Sequence, residues 1–300
     1  MSLRRSMDIG RKRRAQIILD ALAKVIPRPQ SELNFSGEYE LIVAVILSAQ
    51  CTDARVNLVA PSLFKIWPTF AALSRAAPED VASIIASISY PNNKARHLVG
   101  MARKVMSDHD GRLPRSQAGL MKLPGVGRKT AQVVSSVAFD DQDALPVDTH
   151  VFRVANRTGL VSQADTPLKV ERGLKRVIPR GKWGLAHHLL ILHGRYTCTA
   201  RSPDCRECVV ADVCTYYEAV QRLPKPIAGL DPAKGAYYCA TRRYYFDEPA
   251  SRTDRAGIVQ LSCPKCDSMN VYVSKTGRTS KVVRDYRIDK PSRKTSKDAQ

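Results

Sequence analysis

The stretch Leu123-Pro124-Gly125-Val126-Gly127-Arg128-Lys129 decides the fold. One helical pattern precedes it and a second follows it through Phe139. Pro124 is predicted to end the first helix, because proline lacks an amide proton and clashes with the preceding turn. Gly125 and Gly127 permit a tight reversal with free backbone amides. Amides at the N-terminus of the second helix would attract an anion such as a phosphate, although an ordinary turn with exposed basic residues fits the same letters.

Short helical patterns make up most of the chain around this stretch. They cover residues 16–26, 39–49, 128–139, 149–157, 168–178 and 183–196. Breaks are expected at Pro61, Pro68, Pro78, Pro91, between residues 111 and 114, and at Pro124. The sequence shows no sustained alternation bounded by hairpin turns, which is the pattern of paired strands. The core is therefore predicted to be all-α.

The chain is strongly basic. Its 300 residues include 48 Lys and Arg against 28 Asp and Glu, a formal net charge of +20. This excess favours a polyanionic partner, and no basic helix with a large apolar face accompanies it to indicate a membrane surface. Residues 1–14 carry a net +5 and residues 224–300 a net +8, so the intervening residues hold only +7. The charge therefore points to a polyanion without saying what the core does.

The eight cysteines divide into three groups. Cys51 is isolated, and we expect it to be buried and structural. Four soft ligands follow in the pattern Cys198-x6-Cys205-x2-Cys208-x5-Cys214, on a segment too short to bury itself. Zinc and an iron–sulfur cluster both suit such a set, and ligand count does not separate them.

The tetrapeptide Val147-Asp148-Thr149-His150 opens another helical pattern. Asp148 is placed to cap the N-terminus of that helix, which is a sufficient structural role for it. Lys129 has a similarly simple role available, as a contact to a phosphate. Their occurrence together with the four cysteines favours a chemical role for both.

These motifs resemble the endonuclease III family. The resemblance rests on Leu-Pro-Gly-Val-Gly-Arg-Lys-Thr-Ala at 123–131, Val-Asp-Thr-His at 147–150 and Leu-His-Gly-Arg-Tyr-Thr-Cys at 192–198, and runs from about residue 15 to 217. The family consists of helix-hairpin-helix DNA glycosylases, which are two-lobed all-α enzymes with a DNA cleft between the lobes. The resemblance implies a six-helix lobe at 31–141 and a cluster lobe formed by 15–30 with 142–217. Residues 1–14 lie outside it and are expected, from their charge, to form a basic arm. Residues 218–300 would be a linker and a basic extension of uncertain structure.

The implied activity is that of a bifunctional enzyme of base excision repair. It would excise oxidised pyrimidines and cleave the abasic site by β-elimination. Lys129 would be the nucleophile, which requires an uncharged amine and hence a pKa lowered by desolvation or by a neighbouring cation such as Arg128. Asp148 would stabilise the developing positive charge on the sugar. The alternatives are a monofunctional mismatch or damage glycosylase and a non-catalytic DNA-binding or redox-sensing relative.

The resemblance also implies a set of DNA contacts. Gln50 would fill the space left by a flipped base. Tyr90 occupies the region where the family commonly carries a leucine wedge, and an aromatic ring could act there by stacking. The full set of expected DNA contacts is Gln50, Tyr90, Gly125, Gly127, Arg128, His150, Arg153, Arg195 and Arg201.

The expected cofactor is one 4Fe–4S cluster on Cys198, Cys205, Cys208 and Cys214. Cys239, Cys263 and Cys266 are a candidate zinc set that lacks a fourth ligand, because no histidine lies beyond His193. We expect a monomer that acts on double-stranded DNA carrying lesions or abasic sites. We expect it in a bacterial cytoplasm, associated with the nucleoid, and the short basic start leaves a nuclear or organellar signal as the alternative.

Overall fold

The computed structural model describes residues 9–221, 228–253, 259–266 and 271–274. Its helices are α1 Arg11–Val25, α2 Glu38–Ser48, α3 Asp53–Ile66, α4 Phe70–Ser74, α5 Pro78–Ile84, α6 Pro91–Asp108, α7 Gln117–Leu120, α8 Arg128–Phe139, α9 Thr149–Arg157, α10 Pro167–Val177, α11 Trp183–Tyr196 and α12 Thr215–Gln221. Its strands are β1 Tyr237–Cys239, β2 Tyr244–Phe246, β3 Ala250–Thr253, β4 Val259–Ser262 and β5 Val271–Val273. In these ranges we find no helix with the length and apolarity needed to cross a bilayer.

The two-lobed all-α prediction is confirmed. Helices α8, α9 and α11 have the predicted bounds. Local signals explain this agreement: Asp148 caps α9, and Thr166 caps α10 directly before Pro167.

Two separate hydrophobic cores underlie the lobes. The first is built by residues 33–134, and at its centre every residue of α2 from Leu41 to Leu47 is buried. The second joins residues 15–22 of α1 to residues 145–213. The chain thus leaves the second core after α1 and returns to it after α8. The domain boundaries at residues 30 and 141 stay predictions, which this pattern of burial supports.

The hairpin between α7 and α8 needs only one of its two glycines for its backbone. Gly125 has φ of +76°, and a Cβ there would lie 2.8 Å from Cβ of His97. Gly127 is the N-cap of α8 with φ of −84°, a value that any residue adopts, and a Cβ there would meet no protein atom within 4 Å. The open space in front of Gly127 leaves the first turn of α8 accessible from outside.

Two expectations about the helical region are wrong. Pro61 does not interrupt the chain, because α3 continues through it while Val56, Ala60 and Leu63 pack into the first core. The predicted arm overlaps α1, which begins at Arg11. Arg14 is buried and donates a hydrogen bond to the carbonyl of Gly159 (3.3 Å). Residues 1–8 of the predicted arm lie outside the described residues.

The extension contains two small antiparallel sheets that the sequence patterns did not predict. One has the strand order β2-β1-β5, with Tyr238 opposite both Tyr245 and Tyr272. The other pairs β3 with β4. Strands of three or four residues are too short to show the alternation that identifies a strand in a sequence. The Lys- and Arg-rich stretch from residue 277 onward lies outside the described residues.

Gly125→Ala should destabilise the protein, and Gly127→Ala should not. A side chain at position 125 combines a positive φ with a steric clash, at a cost of about 1–3 kcal/mol. Thermal denaturation should therefore show a Tm several degrees lower for Gly125→Ala and an unchanged Tm for Gly127→Ala. Equal Tm values for the two variants would contradict this account of the hairpin.

Candidate active site

A polar cleft of about 910 Å³ lies between the two lobes. The first lobe lines it with residues 48–53, Ser89, Tyr90 and Lys129, and the second lobe with residues 147–150 and Arg195. Six of the residues predicted from the sequence therefore meet here, namely Gln50, Tyr90, Lys129, Asp148, His150 and Arg195.

Lys129 and Asp148 reach the cleft from different lobes, and each lies at a helix N-terminus. Lys129 is the second residue of α8 and also lines an adjoining pocket between α2 and α11. Asp148 is the N-cap of α9, and its Oδ1 accepts hydrogen bonds from the amides of His150 (2.9 Å) and Val151 (2.8 Å). Among the described residues Oδ2 of Asp148 has no hydrogen-bond donor. The capping role thus leaves one carboxylate oxygen free at the cleft.

Gln50 and Tyr90 lie on two loops that are tied to each other. Both residues have left-handed backbones, with φ of 55° and 60°. Ser89 Oγ donates a hydrogen bond to the carbonyl of Gln50 (2.8 Å). The buried Lys94 donates to the carbonyls of Leu47 (2.8 Å) and Ala49 (2.6 Å) at the end of α2. Non-glycine residues persist in this conformation only where their surroundings enforce it, and these bonds hold the backbone of the two loops.

An ionic cluster joins the lobes beside the cleft. Arg195 on α11 forms ion pairs with Glu32 and with Asp53, the latter at 2.6 Å. The hydroxyl of Tyr196 also donates to Glu32. Glu32 and Asp53 lie on the side of the first core. Arg195 and Tyr196 are the last two residues of α11, whose middle part packs in the second core. We call these four residues the interlobe clamp.

A second ion pair between the lobes changes the expected role of Arg128. Its guanidinium forms a bidentate contact with Glu171 on α10, with Nη2 2.9 Å from Oε1 and Nε 3.1 Å from Oε2. Glu171 is buried and also accepts a bond from Lys175. Arg128 is thus a neighbouring cation whose charge is paired with Glu171, and its influence on Lys129 stays a prediction. About half of the Arg128 side chain remains exposed.

Arg153 and Arg201 do not line the cleft. Arg153 is buried, and it donates to the carbonyls of Gly194 (2.7 Å) and Cys198 (2.9 Å). Its helical spacing from His150 is real, since Nη2 lies 3.3 Å from His150 Nδ1, but the guanidinium points into the lobe. The expected contact of Arg153 with DNA is thus replaced by a structural role. Arg201 is exposed on the loop between Cys198 and Cys205, and its DNA contact stays a prediction.

His187 is a residue of this region that the sequence did not reveal. It lines the pocket that also holds Lys129. Its Nδ1 lies 2.9 Å from the carbonyl of Pro146, which can only accept, so Nδ1 carries the proton. Burial is the main cause that holds the pKa of His187 far below its usual range, and the neighbouring His188 lowers that pKa further. His187 is therefore a neutral imidazole in the same pocket as Lys129. The sequence alone does not distinguish it from a histidine that is simply buried in a core.

The four clustered cysteines surround one cavity in the second lobe. Burial is the main factor that raises the pKa of Cys205, Cys208 and Cys214, the last to about 12, so these thiols keep their protons unless a metal replaces them. The buried Arg157 donates to Sγ of Cys198 (3.5 Å) and to the carbonyls of Thr199 and Ala200.

The spacing of these sulfurs bears on the kind of metal centre they fit. Among the described residues, three or more possible ligand atoms lie within 4.8 Å of one another at one place, in the extension. The four clustered cysteines form no group that close. The sulfurs of Cys198, Cys205, Cys208 and Cys214 are therefore spaced more widely than a single tetrahedral zinc requires. Such spacing fits a polynuclear cluster.

Both the fold and the cleft define a base excision DNA repair protein. Residues 43–180 match the HhH-GPD superfamily of base excision DNA repair proteins, and residues 198–214 match the iron–sulfur binding domain of endonuclease III. The second match covers all four clustered cysteines. The protein therefore carries an iron–sulfur cluster there.

Relatives and solved structures narrow this class. Endonuclease III of Escherichia coli is 43% identical over 203 residues, which are 68% of this chain and 95% of the relative. That of Bacillus subtilis is 43% identical over 199 residues, or 66% of this chain and 90% of the relative. The solved structure of a trapped endonuclease III–DNA covalent intermediate has 41% sequence identity and a TM-score of 0.68 to this chain. The match covers 71% of this chain and 100% of the protein chain in that structure. The chain belongs to the endonuclease III family. It is a DNA glycosylase with lyase activity at abasic sites, and it acts on oxidised pyrimidines in base excision repair.

Glu32→Gln should slow the enzyme although Glu32 lies outside the cleft lining. The change keeps the shape of the side chain but removes one of the two carboxylates that hold Arg195. Loss of one charged partner costs about 1–2 kcal/mol, so kcat/KM for cleavage of an abasic duplex should fall about 5- to 30-fold. Asp108→Asn, which breaks the exposed pair with Lys104 within α6, is the control and should leave the rate unchanged. Full activity of Glu32→Gln would show that the clamp does not position the site.

Proposed function

We propose that Lys129 is the nucleophile of this enzyme and that Asp148 is its electrostatic partner. The observation that carries the proposal is their convergence on one cleft from two lobes, each at a helix N-terminus. Both N-termini orient backbone amides toward a bound phosphate or carboxylate. Neutral His187 adds no charge beside the pair, and the charge of Arg128 is paired with Glu171.

The reaction begins when the damaged nucleotide leaves the duplex and enters the cleft. The uncharged amine of Lys129 attacks the sugar C1′, so a nitrogen–carbon bond forms while the glycosidic bond breaks and the base departs with the bonding electrons. Positive charge develops on the sugar in the transition state. The free Oδ2 of Asp148 is available to stabilise that charge, while Oδ1 stays bound to the amides of α9.

Strand cleavage follows from the covalent intermediate. Loss of a proton from Lys129 nitrogen and opening of the sugar ring give a Schiff base at C1′. This imine acidifies the C2′ proton, and its removal expels the 3′ phosphate as the C3′–oxygen bond breaks. The strand is then nicked on the 3′ side of the lesion.

Gln50 and Tyr90 hold the duplex open in this proposal. A flipped nucleotide leaves a gap in the stack, and the two loops carry a polar and an aromatic side chain on the same wall of the cleft. The Tyr90 side chain is exposed and available for stacking. The hydrogen bond from Ser89 to Gln50 couples the two loops, so neither has to be ordered when DNA binds.

Backbone and side-chain contacts to phosphates complete the DNA site. The hairpin at Gly125 and Gly127 would accept one phosphate at the N-terminus of α8, where the space in front of Gly127 is open. The exposed half of Arg128, together with His150, Arg195 and Arg201, would contact the backbone on either side.

We also propose one 4Fe–4S cluster on Cys198, Cys205, Cys208 and Cys214. Four thiolate ligands are the usual set for this cluster, and Arg157 offsets part of their negative charge. The cluster holds the loop that carries Arg201 against the lobe.

The active form in this proposal is a monomer bound to double-stranded DNA with a base lesion or an abasic site. Its lobes are residues 31–141 and residues 15–30 with 142–217. The bacterial origin of the matched relatives supports a place at the nucleoid in the cytoplasm. The exposure of Lys129 and Asp148 to one cleft argues against the monofunctional and non-catalytic alternatives.

Lys129→Ala should abolish covalent trapping. Incubation of the full chain with an abasic duplex and borohydride should give a protein–DNA adduct, reduced about a thousandfold or more in this variant. Lys122→Ala, an exposed lysine of the same hairpin segment, is the matched control and should still form the adduct.

Asp148→Asn keeps the helix cap but loses the charge, so base release should slow by about 10²–10⁴ while trapping on a preformed abasic site persists. A wild-type protein without any adduct would refute the Schiff-base mechanism.

Cys205→Ser should remove the cluster. The visible absorption of the purified protein should fall together with its iron content, because the cluster loses one of four ligands. Cys51→Ser is the control, since Cys51 packs against the first core and lies far from the cavity in the second lobe. Unchanged iron in Cys205→Ser would contradict the ligand set.

A further inference from the structure

The remaining three cysteines converge in the extension, outside the family matches. Cys239 ends β1, Cys263 directly follows β4, and Cys266 lies three residues later. All three sulfurs lie within 4.8 Å of one another, and the sulfurs of Cys239 and Cys266 are 3.8 Å apart. Cys239 and Cys263 are fully buried. Residues from both small sheets thus bring three thiols to one point.

The distance between the sulfurs fits one zinc ion. Zinc binds thiolates at about 2.3 Å in a tetrahedral arrangement, which places neighbouring sulfurs about 3.8 Å apart. A disulfide needs a separation of about 2.05 Å and uses two cysteines, so it would leave the third thiol buried beside it. The observed spacing therefore favours a shared ion over a covalent bond.

Hydrogen bonds to the sulfurs point the same way. The amide of Arg242 donates to Sγ of Cys239 (3.4 Å). The hydroxyl of Tyr244 lies 3.2 Å from Sγ of Cys263. Donors gathered around sulfur stabilise a thiolate and orient it as a ligand.

Among the described residues of the extension, the buried hydrophobic cluster is very small. It consists of Cys239, Cys263 and Val271, with Tyr237, Tyr244, Phe246 and Cys266 partly buried around it. Small hydrophobic clusters of this kind are commonly reinforced by disulfides or by a metal. A bound ion at the three sulfurs would link β1 and β4, which belong to different sheets.

We propose that Cys239, Cys263 and Cys266 bind one zinc ion that holds the strands of the extension together. The ion displaces the three thiol protons, which pass to the solvent, and binds the resulting thiolates. The described residues offer no fourth protein ligand at this point. A tetrahedral zinc ion would take one further oxygen or nitrogen ligand. This site is separate from the iron–sulfur cluster and does not depend on the proposed catalytic mechanism.

Metal analysis of the full chain tests the proposal. Protein expressed with zinc and iron present should contain about one zinc per chain, and the triple variant Cys239→Ser, Cys263→Ser, Cys266→Ser should contain none while it keeps its iron. Cys51→Ser is the matched control and should keep both metals. Zinc missing from the wild type would overturn the proposal. Zinc retained by the triple variant would also overturn it, since the metal would then lie at the other four cysteines.

Zinc-edge X-ray absorption of the same wild-type protein tests the ligand set without interference from iron. The expected result is three sulfur ligands at about 2.3 Å and one oxygen or nitrogen at about 2.0–2.2 Å. A zinc shell with four sulfurs, or with none, would contradict the assignment to these three cysteines.

Discussion

The candidate active site lies between two separate hydrophobic cores that ion pairs connect. Lys129 belongs to a helix of the first core and Asp148 to a helix of the second, so neither core can build the site alone. The interlobe clamp of Arg195 with Glu32 and Asp53 lies on one side, and the bidentate pair of Arg128 with Glu171 directly precedes Lys129 on the other. Partly buried ion pairs add little net stability because desolvation offsets their attraction. Their geometry is specific, however, and specific geometry is what the proposed nucleophile and its proposed electrostatic partner require.

These pairings also explain how a basic protein can keep a balanced active site. The net charge of +20 lies mostly in the two ends of the chain, and the cations nearest to Lys129 are matched by carboxylates. His187 is buried as a neutral imidazole. A lysine amine attacks only when uncharged, but a site that must also bind a polyanion cannot be made acidic overall. Arg128 and Arg195 are both paired with carboxylates, whereas most of the net positive charge lies toward the two ends of the chain.

Local signals predicted a large part of this structure. The bounds of α8 and α9 follow from Gly127 and from the Asp148 cap, and the motif residues Lys129 and Asp148 reach the expected cleft. The break predicted at Pro61 does not occur, because the packing of α3 in the first core outweighs the loss of one amide donor. The pairings of Arg153 and of Arg128 could not be predicted from the sequence, for a different reason. Their partners, the carbonyls of Gly194 and Cys198 and the carboxylate of Glu171, are distant in sequence, and no local pattern announces such pairs.

The central claim is that the Lys129 amine, positioned across the lobes from Asp148, is the atom that bonds to the sugar. It is tested most directly by locating that bond. The full chain would be reacted with a duplex that contains an oxidised pyrimidine, reduced with borohydride, digested with protease and nuclease, and sequenced by tandem mass spectrometry. The account predicts the sugar-derived mass on Lys129. Its location on the N-terminal amine or on any other lysine would contradict the account.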